Sequence, residues 1–191
     1  MGNNEFGSGF GYNEFGSGFG YNEFDINIFL DYIGLSAYVI LFLLSVFLLQ
    51  NKIKYLQVFV VCFFLNIILN AILKYTIRSP RPPRDAALAL DMSTKERFGF
   101  DKYGMPSGHA QNCAFCLAYI TLVLNNPLIT GIYLVITAIS VYQRYKYSNH
   151  TALQLLIGLA IGLITGYLAY HIGNKWIKGN LKLRPDDYAP K

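Results

Sequence analysis

His109 and His150, two of the three histidines in this 191-residue chain, stand at the ends of apolar runs with cations close by in sequence. Lys74, Arg81 and Arg144 come from three separate places along the chain. An arginine offers a planar fork that matches phosphate oxygens, and a lysine adds a compact charge. Three such cations brought to one place without matching acids ask for an anion, and phosphate is the natural ligand. Taken singly, each is equally well read as a side chain snorkelling from a helix end to lipid headgroups.

Pro106-Ser107-Gly108-His109 opens an apolar run. A helix that begins there presents unpaired amides and the positive end of its dipole, and Gly108 lets a ligand approach the backbone. His109 then sits over any bound phosphate. The plainer alternative is an ordinary Pro/Ser helix start with an incidental histidine. His150 follows Arg144 by six residues, and Gln154 follows one helical turn later. At that spacing the Gln154 carbonyl is expected to hold a proton on one imidazole nitrogen of His150 and leave the other free to attack. A wet helix end with a simple His–Gln hydrogen bond is the competing account.

The elements that must position these residues are five apolar runs, near 33–50, 55–74, 109–125, 128–144 and 151–172. A membrane span needs about 20 residues, so the third and fourth are at the short end. Residues 51–54 and 125–127 are tight connections that make antiparallel hairpins, and the long internal loop is 75–108. Alternation of five spans puts Lys74, Arg81, His109, Arg144 and His150 on one membrane face. The fold class expected is therefore all-α: an integral membrane bundle of about five transmembrane helices with the site at one face. Asn66, Asn70 and Lys74, four residues apart, form a polar line that must face the bundle interior, because amides in lipid are costly unless paired. His150, Gln154, Gly158, Gly162 and Gly166 form a second stripe, along which the glycines admit a closely packed neighbour.

Composition agrees. The chain is 53% apolar and 14% charged, against roughly 25% charged in soluble domains. The net charge of +5 gathers in the gaps between apolar runs, so the expected partners are a lipid bilayer and a phosphorylated lipid, with no nucleic acid. Residues 4–12 repeat as 13–21 and begin again at 22–24. Two Gly/aromatic nonapeptides cannot bury enough surface to offset their ordering entropy, so 1–25 reads as a disordered tail before a membrane domain at 26–174 and a basic tail at 175–191. The opening residues show neither a basic n-region with an apolar core nor a hydroxyl residue at position 6, so neither a cleaved secretory signal nor myristoylation is expected. Cys62, Cys113 and Cys116 lie inside apolar runs and read as packing residues.

Taken together, Lys74 with Arg81-Pro82, Pro106 to His109, and Arg144 with His150 resemble, in order and internal spacing, the three signature motifs of the type-2 phosphatidic acid phosphatase (PAP2) superfamily. The resemblance covers about residues 55–172. It implies a hydrolase in which His150 is the nucleophile that forms a phosphohistidine and His109 protonates the leaving group. Lys74, Arg81, Arg144, Ser107 and the Gly108 amide would hold the phosphoryl oxygens. No metal and no cofactor are implied, since the cations take the electrostatic role.

The chain departs from the pattern twice: Gln143 stands where serine usually precedes the third-motif arginine, and Gln154 where aspartate usually follows the nucleophile. Gln at the second position also resembles the dolichyl-diphosphatase and glucose-6-phosphatase branches, and residues 104–107 with 150–158 look closer to the first. A polyprenyl or dolichyl diphosphate is thus the expected substrate. The alternatives are a catalytically weakened relative that binds phosphorylated ligands or acts as a scaffold, and a phosphatidic-acid or sugar-phosphate phosphatase. Lys52, Lys54 and the basic C-terminal residues suggest a cytoplasmic face opposite the site, which puts the site on the luminal or outer side.

Overall fold

The computed structural model describes residues 26–83 and 99–180. Five helices run α1 Ile26–Leu49, α2 Ile53–Ile77, α3 Gly108–Leu124, α4 Pro127–Lys146 and α5 Ala152–Asn180, with a short 3-10 turn at Gly99–Lys102. The repeat tail, residues 84–98 of the long loop and residues 181–191 lie outside the described residues. α5 continues through the first residues of the segment set apart at 175.

The all-α membrane bundle is borne out. Among the described residues three stretches are long and apolar enough to cross a membrane, Phe29–Leu49, Ile53–Ile77 and Ala152–Trp176. Their outer faces expose large apolar side chains such as Phe47, Val61, Leu65, Leu156 and Ile172, as a surface solvated by lipid tails requires. α3 is a shorter apolar helix, for a reason that concerns the site. It is the central element, with ten of its 17 residues buried, and it carries Gln111 and Asn112 into the interior. α4 is also more polar, with Thr137, Ser140, Gln143 and Arg144 all buried along it.

Local signals end the helices where the hairpins need them. Asn126 caps α4 by accepting from the backbone N–H groups of Leu128 (3.0 Å) and Ile129 (3.2 Å), with Pro127 at the first helical position. Asn125 closes α3 in the left-handed region, its N–H bonded to the Thr121 carbonyl at 3.0 Å. At the end away from the site, Phe59, Phe63, Phe115 and Tyr119 pack as an aromatic core, with Tyr119 Oη donating to the Tyr55 carbonyl at 2.8 Å.

The two stripes read from the sequence face inward as expected. Asn66, Asn70 and Lys74 are all buried. Asn66 Nδ2 donates to Asn112 Oδ1 (2.8 Å), Gln111 Nε2 donates to Asn66 Oδ1 (2.8 Å), and Asn70 Nδ2 donates to Gln111 Oε1 (2.8 Å). Thr165 of α5 adds a bond to Asn66 Oδ1 at 2.9 Å. The network joins α2, α3 and α5 directly beneath the charged end, and each amide satisfies the next.

The glycines of α5 run along α3. A Cβ on Gly158 would lie 2.7 Å from the Ser107 carbonyl oxygen, one on Gly166 2.7 Å from that of Phe115, and one on Gly162 would collide with the Gln111 carbonyl and come within 2.8 Å of the Ala114 Cβ. Backbone oxygens cannot swing aside as side chains do, so Gly162→Ala is expected to push α3 and α5 apart and destabilise the fold by about 1–3 kcal/mol. Gly131 has nothing within 4 Å of its Cβ position. Gly131→Ala should therefore be neutral or gain up to about 1 kcal/mol from helix propensity. Thermal unfolding of the two variants in detergent checks the contrast; equal midpoints would remove the seam from the account.

Candidate active site

The end of α2, the start of α3 and the connection from α4 to α5 meet at one end of the bundle, as expected from the alternation of the apolar runs. Lys74 occupies the last turn of α2 and is 4% exposed, while Arg144 in the last turn of α4 is 7% exposed. Side chains that snorkelled to headgroups would be open at this end; these two are inside.

Residues 147–151 explain the six-residue spacing between Arg144 and His150. Tyr147 N–H bonds the Gln143 carbonyl at 3.1 Å, and the N–H groups of Asn149 (3.0 Å) and His150 (3.3 Å) both return to the Arg144 carbonyl. Ser148 turns the chain in the left-handed region at φ 48°. This reversal caps α4 and lays His150 against the helix end that carries Arg144.

Among the described residues each nitrogen of the His150 ring has one partner. Nδ1 lies 2.8 Å from the Gly104 carbonyl, and Nε2 lies 3.0 Å from Nη1 of Arg81. A carbonyl only accepts and a guanidinium only donates, so the partners set the tautomer: the proton is on Nδ1 and the Nε2 lone pair faces the cations. Burial, and after it the charges of Arg81 and Lys74, push the His150 pKa down from 6.5 to about 2, so the lone pair stays available at working pH. Arg81 Nη1 also donates to the Asn149 carbonyl at 3.0 Å.

His109 lies in the first turn of α3, next to Arg144, whose Nη2 donates to its Nε2 at 2.7 Å. The Leu35 carbonyl of α1 is 3.1 Å from the same nitrogen, and Tyr38 meets the ring edge-on at 4.8 Å between centroids. One nitrogen cannot accept from Arg144 and donate to Leu35 at once, so the neutral ring belongs to the arrangement seen here. A protonated ring would turn to Leu35 and release Arg144. Ser107 caps the start of α3 without a side-chain capping bond, and its fully buried Oγ has no hydrogen-bond partner among the described residues. Next to the amides of a helix N-terminus, such a hydroxyl suits a phosphoryl oxygen. Among the described residues no three His, Cys, Asp or Glu side chains gather as metal ligands.

The expected contact between Gln154 and His150 is not made. α5 begins at Ala152, so His150 lies in the turn before the helix and the one-turn spacing does not apply. Gln154 Nε2 donates to the Pro80 carbonyl (2.7 Å) and Ser79 Oγ (3.2 Å), while its Oε1 accepts from Thr151 N–H at 3.2 Å. The imidazole is held instead by Gly104, a backbone carbonyl that leaves no side-chain signal. The contributions of Leu35 and Tyr38 were equally invisible, since α1 lies outside the three motifs. Gln111 and Asn112 did carry a signal: two amides at the start of an apolar helix must find partners on the helices packed against it. The other departure, Gln143, packs on α1, where a Cβ on Gly34 would lie 2.5 Å from its own Cβ.

An all-α membrane bundle with two imidazoles and three cations gathered at one end defines an integral membrane protein with a candidate oxyanion site. The PAP2 superfamily matches residues 54–178, and the chain belongs to that superfamily, as the motif resemblance implied. It is similar to the dolichyldiphosphatase of Saccharomyces cerevisiae, 28% identical over 157 residues that cover 72% of this chain and 62% of that one. It is also similar to the lipid A 4'-phosphatase of Porphyromonas gingivalis, 25% identical over 88 residues, 44% of this chain and 37% of that one. The chain thus spans less than two thirds of the length of either relative. No solved structure matches.

Proposed function

We propose that this chain is a metal-independent membrane phosphatase that hydrolyses a lipid-linked phosphate or diphosphate, with a polyprenyl or dolichyl diphosphate as the preferred substrate. The observation that carries the reading is the His150 ring, tied at Nδ1 to Gly104 and presenting the Nε2 lone pair to Arg81. The similarity to a dolichyldiphosphatase supports the substrate class.

Nε2 of His150 attacks phosphorus, the bond from phosphorus to the leaving oxygen breaks, and His109 delivers a proton to that oxygen where it needs one. Lys74, Arg81 and Arg144, with Ser107 and the Gly108 amide, hold the three non-bridging oxygens and stabilise their charge. Arg81 and Arg144 leave the two imidazoles to do so. Water, losing its proton to His109, then attacks the phosphohistidine, and the P–N bond breaks to release phosphate. All five helices cross the bilayer in this reading, with the site on the luminal or outer face.

The test is phosphate release by the purified chain in detergent with excess chelator, offered polyprenyl diphosphate, phosphatidic acid and glucose 6-phosphate in turn. Chelator-resistant release, fastest from the diphosphate, is expected. Release that chelator abolishes would overturn the metal-independent mechanism, and folded protein inert on all three substrates would favour a binding or scaffold role. In sealed vesicles of known orientation, hydrolysis of a soluble substrate added outside reports the side of the site.

A further inference from the structure

Gln154 is 2% exposed, and its amide bonds one end of the long loop to the turn before α5 and packs against the other end at Gly104. Its Nε2 donates to the Pro80 carbonyl at 2.7 Å and to Ser79 Oγ at 3.2 Å, and its Oε1 accepts from Thr151 N–H at 3.2 Å. Gly104 N–H donates to the Ser79 carbonyl at 2.8 Å, and Pro80 pairs with Tyr103 in an isolated antiparallel bridge. Gly104 rests on the amide itself: a Cβ there would lie 2.5 Å from both Nε2 and Oε1 of Gln154. The residue after Pro80 is Arg81, which meets Nε2 of His150, and the carbonyl of Gly104 accepts the hydrogen bond from Nδ1–H.

We infer that Gln154 is a positioning residue whose amide clamps segment 79–81 to segment 103–104, and thereby sets Arg81 and the Gly104 carbonyl against the two nitrogens of His150 without touching the ring. What the site does with that geometry rests on the function proposed above; the clamp itself does not. An amide is the group the place requires. It donates to Pro80 and accepts from Thr151 at once, whereas a carboxylate only accepts and would set its charge against a carbonyl oxygen. A protonated carboxylic acid could do both. The glutamine found where the superfamily pattern has aspartate is then no weakened orienter, because the orienting acceptor is Gly104.

Gln154→Glu separates the possibilities because it keeps the shape and makes the donor depend on pH. The full-length chain and the variant are compared between about pH 5 and pH 8, where a glutamate titrates if burial raises its pKa. One readout is phosphate release, and the other is affinity for orthovanadate, each taken relative to wild type at the same pH. At the alkaline end the variant should fall at least about tenfold below wild type in both, as loss of a buried donor implies, and the gap should close on acidification. A variant equal to or better than wild type at alkaline pH would overturn the clamp, since a carboxylate serving the imidazole would improve the enzyme. A deficit that persists at pH values where the infrared carbonyl band shows the introduced carboxyl to be protonated would also overturn it, because lost packing does not titrate.

If Gln154→Glu does not fold, Gly104→Ala, which pushes a methyl into the Gln154 amide, is compared alone and together with the shorter Gln154→Asn. The clamp requires losses in kcat that are less than additive, and additive losses refute it. Orthovanadate binding needs no turnover, so a wild-type chain that released no phosphate would defeat the proposed function and still leave the clamp open to test.

Discussion

His150→Ala is expected to abolish phosphate release, by at least about four orders of magnitude, while leaving the anion pocket able to bind. The lone pair lost is the one that the Gly104 carbonyl and Arg81 hold in place. Removing the ring also frees Nη1 of Arg81 from the imidazole, so affinity for orthovanadate should hold or tighten. Loss of turnover with binding kept assigns His150 to the bond-making step; residual turnover within tenfold of wild type would put the nucleophile elsewhere. The pH dependence sharpens the assignment. In the unfolded chain His150 takes a proton near its ordinary value of 6.5, whereas in the folded chain burial and two cations hold the value near 2. Its stabilising contribution is therefore fully present above pH 6.5 and is lost as pH falls toward 2. The acid limb of kcat/KM between these values then reports protonation of the substrate, not of His150, while deprotonation of His109 as the acid would shape the alkaline limb.

The parts of the candidate site that were legible in the sequence are those whose signal is a side chain at a helix end. Lys74, Arg81, Arg144, His109 and His150 could be placed together by counting apolar runs, because short connections between antiparallel helices leave little freedom in which ends meet. The line through Asn66 and Asn70 was legible too: an amide in lipid has to turn inward. The helix-packing face of Gly158, Gly162 and Gly166 followed from residue size alone. What stayed hidden was carried by backbone or by chain reversals. Nothing in the type of residue 104 marks its carbonyl as the partner of a histidine 46 positions later. The expected His150–Gln154 contact assumed helical spacing across a stretch where the chain is still turning, and that turn exists to close the end of α4. Leu35 meets His109 through a carbonyl of a helix that none of the motifs includes, so only packing of α1 against α3 and α4 could reveal it.

His109 leads to the second large effect, which depends on the leaving group. A general acid contributes about 10²–10⁴-fold when the departing oxygen is strongly basic and little when it is not. With a lipid monophosphate the leaving group is an alcohol, so His109→Ala should cut the first step by about that factor, and no intermediate should build up. With a diphosphate the leaving group is a phosphate monoester, which departs readily as an anion. The first step should then survive the substitution, while the second, in which His109 takes the proton from water, slows by a similar factor. Phosphorylated protein is therefore expected to accumulate with polyprenyl diphosphate and not with the monophosphate. Labelled diphosphate mixed rapidly with the variant should leave an acid-labile, base-stable phosphate on the chain, and the His150→Ala, His109→Ala double variant should show none. Equal losses on both substrates with no accumulated label would remove His109 from proton transfer and leave it as a partner for Arg144. A burst on the diphosphate alone would establish, in one experiment, the order of the two histidines and the class of leaving group the site is built to release.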